Sequence, residues 1–168
     1  KKPAINGAVN LFDDQTGQLS AVIDFHLVTK WKTAGDSILA AKLLARPNSR
    51  NILILGAGTV AHSLRQAYGD FFPDAHFSIW NRTSERAEKF AANFPDTVAV
   101  NDLEKAISDA DIISAATMSS EPLINGKWLK PGQHVDLIGA YRPDMREADD
   151  TTLKRSKIYV DSFETTID

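Results

Sequence analysis

The sequence contains no cysteine among its 168 residues, which excludes several classes of protein. Disulfide-stapled secreted domains, thiolate zinc sites and cysteine nucleophiles all require that residue. Lysine and arginine number 19 against 22 aspartates and glutamates, so no cationic excess is available to bind a nucleic-acid backbone. No apolar run approaches the roughly 20 residues of a membrane span, and residues 1–4 lack the apolar stretch of a signal peptide. We therefore expect a cytoplasmic protein that binds a small molecule, with neither a nucleic acid nor a membrane as its partner.

From residue 51 onward, short continuous apolar runs alternate with segments of helical periodicity. Runs that are apolar on both faces are typical of strands buried inside a parallel sheet, and helices between such strands indicate βαβ units. The predicted strands are 51–55, 77–80, 98–100, 111–115, 134–138 and 158–160, and the predicted helices are 59–72, 84–94 and a short helix from Asp102, its cap, to Ile107. The pattern predicts an α/β fold built on a doubly wound parallel sheet of the Rossmann type.

The first fifty residues have a different pattern. Apolar segments 8–12 and 19–23 flank a polar loop that contains Gly17, which is typical of a β-hairpin. Residues 33–44 then predict a helix, which Pro47 closes. A lone hairpin is only marginally stable in water, so this one needs a partner, and we expect further sequence to precede residue 1.

A glycine-rich loop follows the first strand of the predicted sheet and opens a helix. The loop has the pattern G-x-G-x-x-A, and its members are Gly56, Ala57, Gly58, Thr59, Val60 and Ala61. In this context Gly56 allows a tight turn, Gly58 lets a pyrophosphate approach the backbone, and Ala61 lets the helix pack closely on the sheet. The free N–H groups of the helix start attract phosphate. The loop predicts dinucleotide binding, and the alternative is a tight turn without a ligand.

The end of the second strand lacks the acidic residue that usually binds the ribose 2′-hydroxyl in such folds. Asn81, Arg82 and Thr83 stand there instead, and Arg86 lies one helical turn later. A guanidinium suits a phosphate, so this segment favours NADP(H) over NAD(H) as the cofactor. The alternative is a solvated helix start in which the arginines pair with Glu85 or Glu88.

Several stretches, in order along nearly the whole chain, resemble the ornithine cyclodeaminase/mu-crystallin family. They are residues 32–37, 56–61, 79–83, 115–117, 121–124, 128–132, 138–147 and 160–162. The resemblance implies the central part of a longer homodimeric protein, whose catalytic lysine would precede residue 1 and whose last helices would follow residue 168. The hairpin and helix at the amino end would then belong to a second, incomplete substrate and dimerisation domain. We place residues 1–32 in that domain and 33–168 in an NADP-binding Rossmann domain with its leading helix. The chain alone would lack the full active site.

The resemblance also implies the chemistry. Cyclodeaminases of the family share an aspartate two residues after the position that corresponds to Gly139. This chain has Tyr141 at that place. A phenol is a poor general base at neutral pH, so the sequence favours a reductase of cyclic ketimines, such as Δ1-pyrroline-2-carboxylate or Δ1-piperideine-2-carboxylate. The alternatives are an ornithine cyclodeaminase that uses NAD+ and a mu-crystallin-like protein that holds NADPH and a ligand with little turnover.

The remaining candidate residues follow from the resemblance and from the strand ends. Lys32 stands where many members of the family have an arginine for the substrate carboxylate, so Lys32 and Tyr141 are the candidates for substrate binding, with a solvated lysine as the alternative. The candidates next to the nicotinamide riboside are Ala116, Thr117, Met118, Gly139 and Ala140. Met118 is also open to a packing role.

Other polar residues receive structural interpretations. Thr33, Asp36 and Ser37 either face the cofactor or cap the helix. Asp136 is interpreted as a hydrogen-bonded strand carboxylate. The charged residues at the carboxyl end of the sequence are interpreted as a solvated face and a capped helix rather than a carboxylate dyad; they are Glu147, Asp149, Asp150, Lys154 and Arg155. The four histidines form no pair at metal-ligand spacing, so no metal site is predicted.

Overall fold

The computed structural model describes residues 7–163, and its largest feature is a parallel sheet of five strands. The elements in chain order are β1 (Ala8–Phe12), β2 (Leu19–Asp24), α1 (Phe25–Leu44), β3 (Asn51–Leu55), α2 (Thr59–Phe71), β4 (His76–Trp80), α3 (Ser84–Ala91), β5 (Thr97–Ala99), α4 (Leu103–Asp109), β6 (Ile112–Ala115), β7 (His134–Leu137) and α5 (Asp150–Arg155). The strand order is β5-β4-β3-β6-β7. The chain therefore reverses its direction of growth between β3 and β6, which is the place where ligands bind in doubly wound sheets.

Two apolar layers cover the two faces of the sheet. On one face, alternate residues of β3 and β4 pack against α1, α2 and α3, with Ile52, Ile79 and Leu64 fully buried. On the other face, Leu53 and Ile113 pack against Ile107 of α4. Burial on both faces explains why the central strands are continuous apolar runs. The Rossmann-type prediction is confirmed.

The last predicted strand is wrong. Ile158, Tyr159 and Val160 are between 43% and 62% exposed and belong to no strand. Within residues 7–163, strand β7 pairs on one side only, with β6. A run of three apolar residues without a neighbouring strand leaves its N–H groups to water and gains little from burial.

Helix α1 begins eight residues earlier than predicted. The Asp24 carboxylate caps it by accepting hydrogen bonds from the N–H groups of His26 (2.7 Å) and Leu27 (3.1 Å). Because no proline interrupts residues 25–32, the helix continues directly from β2. Thr33 and Ser37 therefore lie inside the helix, and the capping alternative for them is wrong.

The hairpin prediction is confirmed by the antiparallel pairing of β1 with β2. This hairpin lies apart from the five-stranded sheet, and Leu11, Phe12 and Val22 are more than half exposed. The boundary drawn between residues 32 and 33 falls inside α1. Residues 1–6 and 164–168, which the two predicted domains include, lie outside the described residues. No helix within residues 7–163 is long and apolar enough to cross a membrane.

Candidate cofactor site

The first turn of the glycine-rich loop requires a glycine. Gly56 has φ +100°, and a Cβ there would lie 2.7 Å from the Ala116 carbonyl oxygen. The Gly56 N–H donates to the Trp80 carbonyl (2.9 Å), and the Ala116 N–H donates to the Leu55 carbonyl (2.9 Å). The loop is thus held across the carboxyl ends of β3, β4 and β6, with no room for a side chain.

Gly58 has a different reason to be glycine. It precedes α2, and among the described residues no side chain caps that helix and no atom lies within 4 Å of a Cβ built on Gly58. The protein itself therefore does not require a glycine there, whereas a pyrophosphate approaching the helix start does. Ala61 is fully buried, and Ala57 and Val60 pack against the same apolar layer. The loop fits a dinucleotide.

The segment after β4 presents two arginines to solvent. Arg82 and Arg86 are exposed, and neither forms an ion pair within residues 7–163, so the predicted alternative of pairing with Glu85 or Glu88 is not found there. Asn81 donates from Nδ2 to the Thr83 carbonyl (2.9 Å), which shapes the turn. Both guanidinium groups are thus available for a phosphate.

The carboxyl ends of β6 and β7 are joined by a buried carboxylate. Glu147 is 2% exposed, and its Oε1 accepts hydrogen bonds from the N–H and the hydroxyl of Thr117, both at 2.7 Å. Its Oε2 accepts from the N–H of Gly139 (2.9 Å). The expectation that Glu147 is solvated is therefore wrong. The sequence separation of 30 residues from Thr117 hides this contact, and only membership of the matching stretch 138–147 marks the residue.

This buried position changes the pKa of the Glu147 carboxyl group. Burial raises its pKa above the ordinary value, although the hydrogen bonds from Thr117, Gly139 and Ala140 act in the opposite direction. No lysine, arginine or histidine within the described residues forms an ion pair with it.

Within residues 7–163, no hydrogen bond or cation–π contact joins the two predicted substrate residues, Lys32 and Tyr141. Lys32 is exposed on α1, and Tyr141 is 67% exposed in the loop after β7. The Tyr141 ring has the Arg142 guanidinium 5.9 Å from its centroid. Met118 is 73% exposed, so the packing role considered for it is not what the structure shows. Ala140 is exposed beside Tyr141.

The other polar candidates have structural partners. Asp136 accepts a hydrogen bond from the Ser114 hydroxyl (2.8 Å), as its interpretation as a strand carboxylate requires, and burial raises its pKa. His62 packs against the rings of Phe90 and Phe94, with centroids 4.4 and 5.6 Å away. No group of three histidines or carboxylates within residues 7–163 could hold a metal ion.

Comparison with known proteins shows the family to which this chain is similar. The model of the ornithine cyclodeaminase/mu-crystallin family matches residues 2–167. Δ1-Pyrroline-2-carboxylate reductase of Paracoccus denitrificans is 49% identical over 170 residues, covering 98% of this chain and 54% of that protein. Ketimine reductase mu-crystallin of Mus musculus is 42% identical, covering 96% and 52%. The structure of Thermococcus litoralis Δ1-pyrroline-2-carboxylate reductase in complex with NADH and L-proline has a TM-score of 0.87 at 29% identity, covering 96% and 52%. The chain spans about half the length of the curated relatives it matches.

Proposed function

We propose, on the premise that this chain belongs to the ornithine cyclodeaminase/mu-crystallin family, that it forms the coenzyme-binding part of an NADP(H)-dependent reductase of cyclic ketimines. The observation that carries the proposal is a glycine-rich loop followed, one strand later, by two arginines in place of an acid, neither of which forms an ion pair within residues 7–163. Relatives named as Δ1-pyrroline-2-carboxylate reductase and ketimine reductase support the reaction class. We also propose a cytoplasmic location and a homodimeric assembly.

The proposed roles follow the order of the strands. The loop of residues 56–61 surrounds the pyrophosphate, which the free N–H groups at the start of α2 bind, with Gly58 allowing its close approach. Asn81, Arg82, Thr83 and Arg86 surround the adenosine ribose, where Arg82 binds the 2′-phosphate. Such charged hydrogen bonds are worth roughly 1.5–3 kcal/mol each, which is enough to select between the two nicotinamide coenzymes.

The nicotinamide end lies at β6 and β7 in this proposal. Residues 116–118 and 139–140 border the nicotinamide riboside, Lys32 attracts the substrate carboxylate as a point charge, and Tyr141 borders the substrate ring. When bound, the coenzyme supplies a hydride to the imine carbon, while the imine nitrogen takes one proton. Tyr141 offers no carboxylate with which to activate water, so the proposed reaction contains no hydrolytic step.

The test of the coenzyme assignment uses this chain directly. NADPH and NADH are titrated against it while tryptophan fluorescence is followed, because Trp80 ends β4 next to the proposed adenosine site. We expect NADPH to bind at least about 10-fold more tightly than NADH. Equal affinities would contradict the role of Arg82, and binding of neither coenzyme would contradict the dinucleotide site itself.

The reaction is tested with the protein in its full natural length. We expect steady consumption of NADPH with Δ1-pyrroline-2-carboxylate or its six-membered homologue. Ammonia release from ornithine without net use of NADPH would show a cyclodeaminase instead, and saturable NADPH binding without turnover would show a binding protein. Either result would overturn the proposed reaction and leave the coenzyme site intact.

A further inference from the structure

The ladder between β6 and β7 ends before the two strands reach the proposed nicotinamide site. Their last paired residues are Ala115 and Leu137, followed by one hydrogen bond from the Ile138 N–H to the Ala115 carbonyl (3.0 Å). Beyond it, the N–H groups of Thr117 and Gly139 have no partner in the sheet, and both donate to the Glu147 carboxylate. A side chain, rather than a backbone ladder, therefore determines where these two strand ends lie.

The contact between the strand ends is tight. A Cβ on Gly139 would collide with the backbone N and O of Thr117 and with Oε1 of Glu147. Nothing larger than glycine fits at that position while the carboxylate keeps its hydrogen bonds. Thr117, Gly139 and Glu147 thus form one packed unit, and moving any member moves the other two.

The backbone of Glu147 is also held in place by hydrogen bonds. Its backbone carbonyl accepts hydrogen bonds from the N–H groups of Leu123 and Ile124, both at 2.9 Å. Its neighbours Met145 and Ala148 are buried, and Ile124 is fully buried in the apolar layer below. The carboxylate is therefore fixed relative to the sheet, and its hydrogen bonds hold the two strand ends in place.

We propose that Glu147 is a positioning residue that holds segments 116–118 and 139–140 in the arrangement needed to bind the nicotinamide half of the coenzyme. The proposal rests on the proposed function, because that function places the nicotinamide beside these segments. Glu147 makes no contact with the coenzyme in this proposal and acts only through Thr117, Gly139 and Ala140. Its loss should therefore affect the nicotinamide half and spare the adenosine half.

The experiment compares two ligands that share the adenosine half. NADPH carries the nicotinamide, whereas 2′-phospho-ADP-ribose lacks it. The variant is Glu147→Gln, which keeps the size of the side chain but turns one hydrogen-bond acceptor into a donor. Whichever strand end it faces, that donor meets an N–H group and repels it. We expect NADPH to bind about 10-fold more weakly, while the affinity for 2′-phospho-ADP-ribose changes less than about twofold.

Asp111→Asn is the matched control. Asp111 is also a carboxylate that accepts backbone N–H groups, from Arg50 and Asn51, but it lies at the opposite end of the sheet. We expect this variant to lower stability without changing the ratio of the two affinities. If Glu147→Gln does not fold, Glu147→Asp decides by the same comparison, since it keeps the charge but is one methylene too short to reach both strand ends.

The outcomes separate the two proposals. Equal weakening of both ligands by the Glu147 variants, or no weakening of either, would overturn the positioning role. The same holds if Asp111→Asn changed the affinity ratio as much as Glu147→Gln. If the unsubstituted chain bound neither ligand, the coenzyme site of the proposed function would fail, and the positioning role would fail with it.

Discussion

At the amino end of the sheet, the Asp111 carboxylate accepts hydrogen bonds from the N–H groups of Arg50 (2.9 Å) and Asn51 (3.0 Å) and pairs with the Arg46 guanidinium at 2.6 Å. At the carboxyl end, the Glu147 carboxylate accepts hydrogen bonds from two strand ends. It forms no ion pair with any of the described residues. Both carboxylates replace missing ladder hydrogen bonds between parallel strands. Only the one at the amino end has its charge compensated by an arginine.

The pKa values of the two carboxylates differ accordingly. Partial burial raises the pKa of Asp111. The N–H groups of Arg50 and Asn51 and the Arg46 guanidinium together lower it by more than burial raises it, so the pKa lies below its ordinary value. Burial dominates at Glu147 and holds its pKa above the ordinary value. The partly buried carboxylate at the amino end is thus paired with an arginine, whereas Arg82 and Arg86, at the carboxyl end of β4, are exposed and form no ion pair within the described residues.

The largest expected effect is on the packed strand ends. Gly139→Ala should lower the free energy of unfolding by about 3 kcal/mol or more, because the added methyl collides with backbone atoms of Thr117 that cannot yield. Urea denaturation measures it. Gly35→Ala is the control, since a Cβ there meets nothing within 4 Å inside α1 and should stabilise the chain by up to about 1 kcal/mol. Similar stability for the two variants would contradict the close contact.

Removal of the arginine after β4 should affect the coenzymes unequally. Arg82→Ala should weaken NADPH binding by about 10- to 150-fold, corresponding to roughly 1.5–3 kcal/mol, and leave NADH binding nearly unchanged. Arg50→Ala serves as the control, because it removes an exposed guanidinium at the amino end of the sheet and should change neither affinity. Equal losses for both coenzymes in Arg82→Ala would refute the contact with the 2′-phosphate.

The second glycine of the loop separates folding from binding. Gly58→Ala should change the free energy of unfolding by less than about 1 kcal/mol, since its Cβ meets no protein atom. It should nevertheless weaken both NADPH and NADH by about 10-fold, because the methyl occupies the space that the pyrophosphate approaches. Calorimetric titration measures the affinities for the coenzymes, and urea denaturation of the same sample measures the free energy of unfolding. Unchanged binding would show that the loop is only a turn.

The smallest expected effect concerns pH. A carboxylate with a lowered pKa stabilises the folded state above its unfolded pKa of about 3.9, and this stabilisation is lost as the pH falls through the folded value. Asp111→Asn should therefore cost about 1 kcal/mol at pH 7 and flatten the loss of stability that occurs as the pH falls below about 4. Urea midpoints at pH 7 and pH 3 test this. An unchanged difference between the two pH values would contradict the role of Asp111.

The predictions from sequence succeeded where chemistry is local. Strand β3 was predicted from five adjacent residues, and the loop from Gly56 to Ala61 follows it directly, so neighbours along the chain carried both signals. The failures involve distant partners. Residues 158–160 have the composition of a strand but pair with no strand of the sheet. Glu147 lies in a charged segment that is typical of a protein surface, but it contacts Thr117, 30 positions away.

By itself, the sequence determined the five strands of the sheet, the helices between them, the glycine-rich loop and the missing acid after β4. These features depend on hydrophobic periodicity and on residues within one turn of each other. Only the tertiary structure decided that α1 continues directly from β2, that Arg82 and Arg86 have no acidic partner among the described residues, and that Glu147 joins β6 to β7. The physical reason is that burial and hydrogen-bond partners depend on which strands become neighbours, and the packing of the sheet brings together residues that the chain keeps far apart.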